Sequence, residues 1–447
     1  MNTTEEAGAR PLLITLILAL VTFPARAAVT EVAPGSDLRA AIAELGPGDE
    51  LVLQGGLYEL DSRFNITVAG EADRPILIRG KDGENALIEM NTGSHNILEI
   101  QSSRHLILRN LRFRGGSHGI RIMDSDFITI EDCEIYETGD VAISANSGGT
   151  YEGLLIRRNH IHHTHGTGEG MYLGCNGDAC RVLNSVIEWN YIHHTNGPDV
   201  EQGDGIELKE GSAGNVIRHN VIHDTNYPGI LTYSTVGNGP PNVIEGNLIW
   251  NTNDYAIQSA ADAIIRNNIV LGSAIGLQAH QSGSPSNQAV VHNTVVVDGS
   301  GIEVRNVTGP VLLANNAVYS KSGTAISLIS GDTSLVTVAG NVGTGGISGT
   351  GSGFAEGNGI ESDFVDGHHG GSPPIDVFPA PGSALIGAGS EANATELDFN
   401  GTRRGGAVDA GAYAFDPEGS PGWVLSAAFK EAVDAAAPRP PENLRAE

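Results

Sequence analysis

The segment GDGIELK, residues 203–209, places two acids and a base on one short stretch of chain. Aliphatic residues alternate with Glu207 and Lys209, and this period of two predicts a β-strand with its charged pair facing outward. Asp204 stands just before the strand. Carboxylates beside an amine suit the removal of a proton next to a substrate's acid group, because the acids can hold a cation and the amine can act as base.

The same strand signal recurs along the chain in steps of about 20 to 35 residues, which is typical of stacked structural repeats. A small residue followed by an apolar one opens each of these strands: Gly119-Ile120, Ala142-Ile143, Gly170-Met171, Gly205-Ile206, Gly229-Ile230, Ala256-Ile257, Gly276-Leu277, Gly301-Ile302 and Ala325-Ile326. An Asn or Asp precedes a second apolar pair in the same rhythm: Asn110, Asp132, Asn159, Asn190, Asn220, Asn247, Asn268, Asn293, Asn316 and Asn341. The apolar runs are too short for helices. We therefore predict an all-β, right-handed parallel β-helix with an asparagine ladder at one turn.

Superposing the repeats predicts one outward patch from neighbouring coils, which lie about 4.8 Å apart. Its members are Glu169, Tyr172, Asp204, Glu207, Lys209 and Tyr233. Insertions at residues 175–180 and 196–202 are expected to wall a groove beside it. Oxygen ligands of this kind suit Ca²⁺, and we predict that Glu169, Asp204 and Glu207 bind it. The alternative is an ordinary solvated acidic surface.

The catalytic base remains open between three side chains. Lys209 is the first candidate, although neighbouring carboxylates would raise its pKa and keep it protonated unless a cation offsets their charge. Tyr233, one coil further on, is expected to return a proton to the leaving oxygen or to act as base itself. His194 is the third candidate, because a neutral imidazole can accept a proton near neutral pH.

Four further side chains are predicted to bind substrate along the groove: Tyr172, His163, Gln258 and His280. A separate column of rings is expected at the end of the third strand of each coil, where regular recurrence favours stacking over catalysis. Its members are Tyr136, His162, His193, His223 and Trp250. His163 and His194 lie one residue beyond that column, toward the predicted groove wall.

Composition limits the partners of the protein. The 447 residues contain 60 glycines and carry a formal net charge of −28. Such acidity argues against nucleic acid and anionic membrane as partners. An acidic polymer remains a possible partner if cationic side chains or a metal ion lie at the site of contact. We expect a monomer.

The ends of the chain predict export and a capped solenoid. Residues 1–27 resemble a signal peptide, with an apolar run and a small-x-small cleavage pattern, so we expect a secreted or periplasmic protein without a membrane span after cleavage. Residues 28–90 should form the cap and first coils, including a helix that begins after Ser36 or Asp37. Residues 91–345 should form the central solenoid, residues 346–416 irregular final coils, and residues 417–447 a tail or linker. A helix is predicted over residues 426–437.

Three cysteines cannot form a disulfide framework. Cys175 and Cys180 can close a small loop, and Cys133 is expected to be a buried thiol.

Two segments carry a family resemblance. Near the end, ALIGAGS with DFNGTRRGGAVDAGAYAF resembles the closing segment common to bacterial secreted β-helix proteins. Near the start, PGDELVLQGGLYEL with AGEADRPILIRGKDG is similar to the opening of secreted β-helix polysaccharide lyases. That group includes chondroitinase B, alginate lyases and calcium-dependent pectate lyases. The resemblance implies an acidic calcium-binding strand followed by a lysine, which matches Glu207 and Lys209. It also implies a cation on the next coil, where this sequence has Tyr233.

We therefore expect a lyase that cleaves a uronate-containing polysaccharide by β-elimination. A uronate epimerase shares the first chemical step. A glycoside hydrolase would use paired carboxylates, for example Glu169 and Asp204. A carbohydrate-binding surface protein without catalysis is also compatible with the coils.

Overall fold

Three long parallel sheets form the body of the protein in the computed structural model, which describes residue 1 and residues 27–281, 283–349 and 352–431. Each coil of the chain contributes a strand to sheet A, then to sheet B, then to sheet C, before returning to sheet A one rung higher. The fold is therefore a parallel β-helix, as predicted. The predicted signal peptide lies almost entirely outside the described residues.

The strands of sheet A are Val29–Val32, Glu50–Leu53, Ile76–Gly80, Arg104–Arg109, Asp126–Glu131, Leu155–Arg157, Val186–Glu188, Val216–Arg218, Asn242–Glu245, Ala263–Arg266, Gln288–Val291, Val311–Ala314 and Val336–Ala339. Those of sheet B are Gly56–Leu60, Ala86–Met90, Arg112–Gly115, Glu134–Tyr136, His160–His162, Tyr191–Thr195, Val221–Thr225, Leu248–Thr252, Ile269–Leu271, Thr294–Val297, Ala317–Ser320, Asn341–Thr344 and Phe354–Glu356. Those of sheet C are Asn65–Ile66, Leu98–Gln101, Ile120–Met123, Ile143–Ala145, Met171–Leu173, Ile206–Leu208, Ile230–Thr232, Ile257–Ser259, Ile275–Leu277, Ile302–Val304, Ile326–Leu328 and Ile347–Ser348.

The remaining elements are short. Gly149–Glu152 pairs in parallel with Cys180–Leu183, and Phe364–Asp366 pairs antiparallel with Asp376–Pro379. The two α-helices are Leu38–Ala43 and Ile360–Asp363, and the 3₁₀ turns are Asn176–Asp178, Thr333–Leu335 and Glu391–Asn393. None of the helices in the described residues is both long and apolar enough to cross a membrane.

The inward aliphatic side chains stack into one continuous core along the solenoid axis. In sheet C, Ile206 aligns with Met171 on one side and Ile230 on the other. Helix Leu38–Ala43 covers the first coils by burying Leu38 and Ile42, and Asp37 caps it by accepting a hydrogen bond from the Ala40 amide at 3.1 Å. The prediction of a capping helix is confirmed.

The asparagine ladder lies at the turn between sheets A and B. From Asn159 to Asn341, each buried side-chain amide donates to the side-chain oxygen of the next asparagine at 2.8–3.0 Å. Each ladder amide also donates to a backbone carbonyl of the preceding coil, as Asn220 does to Ile187. The ladder therefore satisfies polar groups that every coil buries at the same turn.

The first two predicted ladder positions, Asn110 and Asp132, are wrong by one residue. Both adopt left-handed backbone with φ of 54°. Cys133 occupies the ladder position instead, and its amide donates to Asn159 Oδ1 at 3.0 Å. Its thiol is buried, as predicted, and Cys175 and Cys180 form the predicted disulfide.

The segment after residue 360 packs against the outer face of sheet B, where apolar side chains from Val221 to Val342 form a second core with it. The buried Arg404 guanidinium donates to the carbonyls of Gly411 and Ala412 and fixes this segment. Contact continues into the predicted tail, because Leu425 is buried. Residues 426–431 contain no helix, so the described half of the predicted helix at 426–437 is irregular.

Candidate active site

The candidate active site is a cluster of buried side chains on the outer face of sheet C, which we call the sheet C pocket. Its residues are Glu169, Asp204, Glu207, Lys209, Glu210 and Tyr233, and all are buried. Strand register explains why they meet: Tyr172, Glu207 and Leu231 align on three successive rungs. Lys209 and Tyr233 follow the ends of adjacent strands, and their amides donate to the carbonyls of Leu173 and Leu208.

Three carboxylates converge in this pocket. Glu169, Asp204 and Glu207 each place an oxygen within 4.8 Å of the other two, which is close enough to share one metal ion. These are the three residues that the sequence predicted as metal ligands. Gly203, with φ of +76°, makes the turn that delivers Asp204 to the edge of the strand.

Most of the carboxylate oxygens have no partner. Both oxygens of Asp204 and of Glu210, Oε1 of Glu169 and Oε2 of Glu207 are buried without a hydrogen bond from any described residue. Glu169 Oε2 accepts a hydrogen bond from Thr167 Oγ1 at 2.6 Å. Buried carboxylate oxygens cost free energy unless they are paired, so these oxygens are candidate ligands for a metal ion.

Lys209 supplies positive charge to the pocket. Its Nζ lies 2.5 Å from Glu207 Oε1 and donates to Tyr233 Oη at 3.3 Å. The Lys209 ammonium also lies 4.7 Å from the ring centres of Tyr172 and of Tyr233. One ammonium faces four carboxylates, and the pocket therefore holds an excess of negative charge.

The pKa values in the pocket reflect burial first and the excess of negative charge second. Burial, with the nearby Glu207 charge, raises the pKa of Glu169 to about 7, and burial raises the pKa of Asp204 well above its ordinary value. Burial would lower the pKa of Lys209, but the Glu207 carboxylate outweighs it and the Lys209 pKa is raised. Burial and Glu207 also raise the pKa of Tyr233, so its phenol stays protonated.

His280 and Gln258 lie near this pocket as predicted. His280 Nε2 is 3.4 Å from Tyr233 Oη, and Tyr233 Oη in turn donates to Glu207 Oε1 at 3.1 Å. Burial lowers the pKa of His280, which favours a neutral ring. Gln258 is buried one rung beyond Leu231. Tyr172 is partly exposed at the outer edge, where its hydroxyl donates to Asn176 Oδ1 at 3.3 Å.

The repeat alignment was wrong at one coil. The strand opens at Ile275 rather than at the predicted Gly276-Leu277, because Ile275 pairs with Ile257 and Ile302. Gly276 therefore occupies the outward position between Gln258 and Glu303 of the adjacent rungs. His280 accordingly lies beyond the end of the strand, and it reaches Tyr233 from the following loop.

His163 and His194, also predicted at the site, lie elsewhere. His163 directly follows strand His160–His162 and His194 lies within strand Tyr191–Thr195, both in sheet B, and their rings stack at 4.8 Å between centres. The structure does not bring them into the sheet C pocket. The predicted ring column of Tyr136, His162, His193, His223 and Trp250 is confirmed, with successive centres 4.2–5.2 Å apart.

Sequence reasoning missed Glu210. The period of two in residues 206–209 would turn Glu210 inward, but the strand ends at Leu208 and the alternation ends with it. Glu210 is fully buried, and its two unpartnered oxygens enlarge the negative charge of the pocket. The glycine that follows, Gly211 with φ of +80°, was the sequence signal that the strand had already ended.

Comparison with known proteins agrees with the architecture. The sequence matches the family model described as Pel9A-like, right handed beta helix region, over residues 23–320, which is more than half of the chain. The chain therefore belongs to the Pel9A-like right-handed β-helix family, and the predicted handedness is confirmed. None of the curated proteins matches the sequence.

Solved structures with this fold include polysaccharide lyases. The chain is similar to the crystal structure of pectate lyase Pel9A, with 14% identity, a TM-score of 0.51, and coverage of 87% of this chain and 96% of that one. It is also similar to XylC in complex with xylose, with 10% identity, a TM-score of 0.53, and coverage of 86% and 98%. An alginate lyase from Paenibacillus sp. str. FPU-7 aligns at 20% identity and a TM-score of 0.42, over 73% of this chain and 97% of that one. At these identities the likeness to Pel9A and XylC shows the fold alone.

Proposed function

We propose that this protein is a secreted polysaccharide lyase that cleaves a uronate-containing polysaccharide by β-elimination at the sheet C pocket. The observation that carries the proposal is the cluster of Glu169, Asp204 and Glu207, with unpartnered buried oxygens, directly beside Lys209. Elimination needs the charge of the substrate carboxylate to be neutralised and a base near the adjacent carbon acid. The pocket contains residue types for both tasks.

Calcium fits the donor set. Glu169, Asp204 and Glu207 offer only oxygen ligands, which Ca²⁺ prefers, and four of their oxygens have no partner among the described residues. Bound calcium would supply positive charge that neutralises the substrate carboxylate and offsets the effect of Glu207 on the Lys209 pKa. The exported location rests on the signal-peptide pattern of the sequence.

Lys209 and Tyr233 divide the proton transfers in this proposal. Lys209 Nζ, once neutral, takes the proton from the carbon next to the substrate carboxylate. Tyr233 keeps its proton because burial and Glu207 raise its pKa, so its hydroxyl is suited to protonate the leaving oxygen rather than to act as base. Tyr172, Gln258 and His280 lie around this pair and would position the sugar rings.

Lys209→Ala tests the proposal directly. We expect the rate of elimination to fall by about 10²–10⁴-fold, which is the usual contribution of a general base. Lys321, whose side chain is 61% exposed and which pairs with Asp298, offers a matched control as Lys321→Ala. Activity would be followed by the ultraviolet absorbance of unsaturated uronate ends, with thermal unfolding to check the fold. Full activity in Lys209→Ala would overturn the role of Lys209.

A screen of polymers separates the alternatives. Pectate and alginate are the first substrates to try, since the names of Pel9A and of the Paenibacillus enzyme point to them. A lyase produces reducing ends together with the unsaturated chromophore. A hydrolase produces reducing ends without it, an epimerase changes the sugar stereochemistry without cleavage, and a binding protein leaves the polymer intact.

A further inference from the structure

A second cluster of ligand-type side chains lies on the outer face of sheet B, away from the sheet C pocket. It gathers six of the 15 histidines of the chain, with two carboxylates at its edges, and we call it the histidine patch. Its members are Glu134, His160, His162, His163, His193, His194, His223 and Asp224. The proposed elimination uses none of its contacts.

The histidine patch is built from paired ring nitrogens as well as stacked rings. His162 Nδ1 lies 2.8 Å from His163 Nδ1, and one rung further His193 Nδ1 lies 2.7 Å from His194 Nδ1. On the next rung Asp224 replaces the second histidine, and His223 Nδ1 lies 2.6 Å from Asp224 Oδ2. Stacking alone would not require nitrogen atoms to face each other across each rung. The ring column continues at Trp250, where no second ligand follows.

Three of the rings, those of His160, His193 and His223, are shifted toward the neutral form that binds metals. Burial, with neighbouring histidines, lowers the pKa of His193 to about 2 and that of His160 to about 4. Burial also lowers the pKa of His223, although Asp224 acts in the opposite direction. A neutral imidazole keeps a free lone pair at neutral pH.

We propose that His194, His223 and Asp224 form a site for a borderline transition-metal ion, represented by Zn²⁺. One ligand atom from each residue lies within 4.8 Å of the other two. His223 Nδ1 and His194 Nδ1 are 2.6 and 3.9 Å from Asp224 Oδ2. Ligand atoms around a tetrahedral zinc ion are about 3.3 Å apart, given metal–nitrogen bonds of about 2.0–2.1 Å. The two separations lie on either side of this value, so small side-chain rotations would close the site.

The surroundings support an accessible metal site. Asn251 donates a hydrogen bond to Asp224 Oδ1, which leaves Oδ2 turned toward the imidazoles. The side chain of His194 is 48% exposed and that of Asp224 22%, whereas that of His223 is 7% exposed. The metal would therefore enter from solvent and keep an open fourth position, unlike a closed structural site. It would also link two adjacent coils beside the C-terminal segment.

The test is Zn²⁺ binding to the full chain after removal of metals with chelator. Equilibrium dialysis should give one tightly bound Zn²⁺ per chain that an excess of Ca²⁺ does not displace, because imidazole ligands favour zinc over calcium. The double variant His194→Asn with Asp224→Asn should weaken this binding by at least about a hundredfold. Asn suits both positions, since His194 and Asp224 have φ of 55°.

Two matched variants locate the site. His163→Asn changes the same left-handed position one rung earlier, and Glu134→Gln disables the neighbouring group of Glu134, His160 and His162. Both should retain Zn²⁺ binding. Thermal unfolding in chelator checks that each variant is folded. If the double variant does not fold, Asp224→Asn alone replaces it, and this single variant is expected to bind Zn²⁺ about tenfold more weakly than the native chain. Absence of Zn²⁺ binding to the native chain, or loss of binding in Glu134→Gln but not in the double variant, would refute the proposal.

Discussion

Two regions of the solenoid bury carboxylates in opposite ways. On sheet A, Glu131 is 1% exposed and lies within 2.5–3.3 Å of the guanidinium groups of Arg109, Arg157 and Arg158. Although burial acts to raise its pKa, these arginines outweigh burial and lower it. In the sheet C pocket, burial dominates, and the pKa values of Glu169 and Asp204 are raised.

The difference shows that the fold has a simple means of neutralising a buried acid. Adjacent rungs supply arginines at positions aligned with the acid. On sheet A, Glu131 pairs with Arg109 on one side and with Arg157 on the other. The sheet C pocket has four buried acids and a single lysine in the described residues that form it. Burial of carboxyl groups without a compensating partner is destabilising, and this distinguishes the candidate site from the ion-paired acid on sheet A.

The largest effect that would sharpen this comparison is stabilisation by calcium. At a concentration of about 100 times its Kd, Ca²⁺ should raise the free energy of unfolding by about 2.7 kcal/mol, because it binds only the folded pocket. Denaturant unfolding with and without chelator measures this difference. Asp204→Asn should abolish the increase and Glu131→Gln should retain it. Insensitivity of the native chain to chelator would contradict the calcium assignment.

Glu131→Gln should destabilise the protein by about 2 kcal/mol, because it leaves three arginines without their shared carboxylate. This loss in the free energy of unfolding is smaller than for a fully buried ion pair, since the side chains of these arginines are 31–42% exposed. The free energy of unfolding in chelator is the measurement. Exposed Glu396, which pairs with Arg403, provides Glu396→Gln as a control with little expected change.

Asp204→Asn should have the opposite sign in the absence of metal. It replaces a buried carboxyl group, whose two oxygens have no partner, with an amide that cannot ionise, so we expect stabilisation of about 1 kcal/mol in chelator. Comparison with Glu131→Gln under identical conditions tests whether the two regions differ as described. If both variants were destabilised, the Asp204 carboxyl group would have a stabilising partner in solution, and the two regions would not differ as described.

The smallest effect is a difference in pH dependence. Glu169 has a folded pKa of about 7, above the ordinary value of 4.5, so the folded state binds more protons between these values. The metal-free protein should therefore lose stability through Glu169 as pH rises from about 4.5 to about 7. Glu131, with a lowered folded pKa, contributes stability that is lost only as pH falls below its ordinary value. Unfolding curves of Glu169→Gln and of the native chain, compared across this range in chelator, isolate the first effect.

Much of the fold could be predicted because the coils repeat the same sequence pattern. The inward aliphatics, the left-handed turns and the ladder asparagines each satisfy a local requirement that recurs at every rung, so one segment predicts the next. The alignment was wrong at Gly276, where two small-apolar pairs, Ala274-Ile275 and Gly276-Leu277, compete within four residues. Only strand pairing decides between them.

The residues of the candidate site could be predicted where their positions follow the two-residue period of a β-strand. Glu169, Asp204, Glu207 and Lys209 occupy regular positions next to one another, and the structure brings them together. Glu210 and His280 lie beyond strand ends, where the period no longer predicts direction. His194 lies within a strand of sheet B and not at the sheet C pocket, because sequence spacing alone did not show where that strand ends.

The uniform backbone of sheet C affects how such a protein can evolve. Glu207 occupies a position that is Ser144 two rungs earlier and Ser327 near the other end, with the same main-chain pairing at each. Duplicating or deleting a whole coil would leave the hydrogen-bonded ladders intact while lengthening or shortening the surface on either side of the sheet C pocket. The length of this surface can therefore evolve separately from the pocket itself.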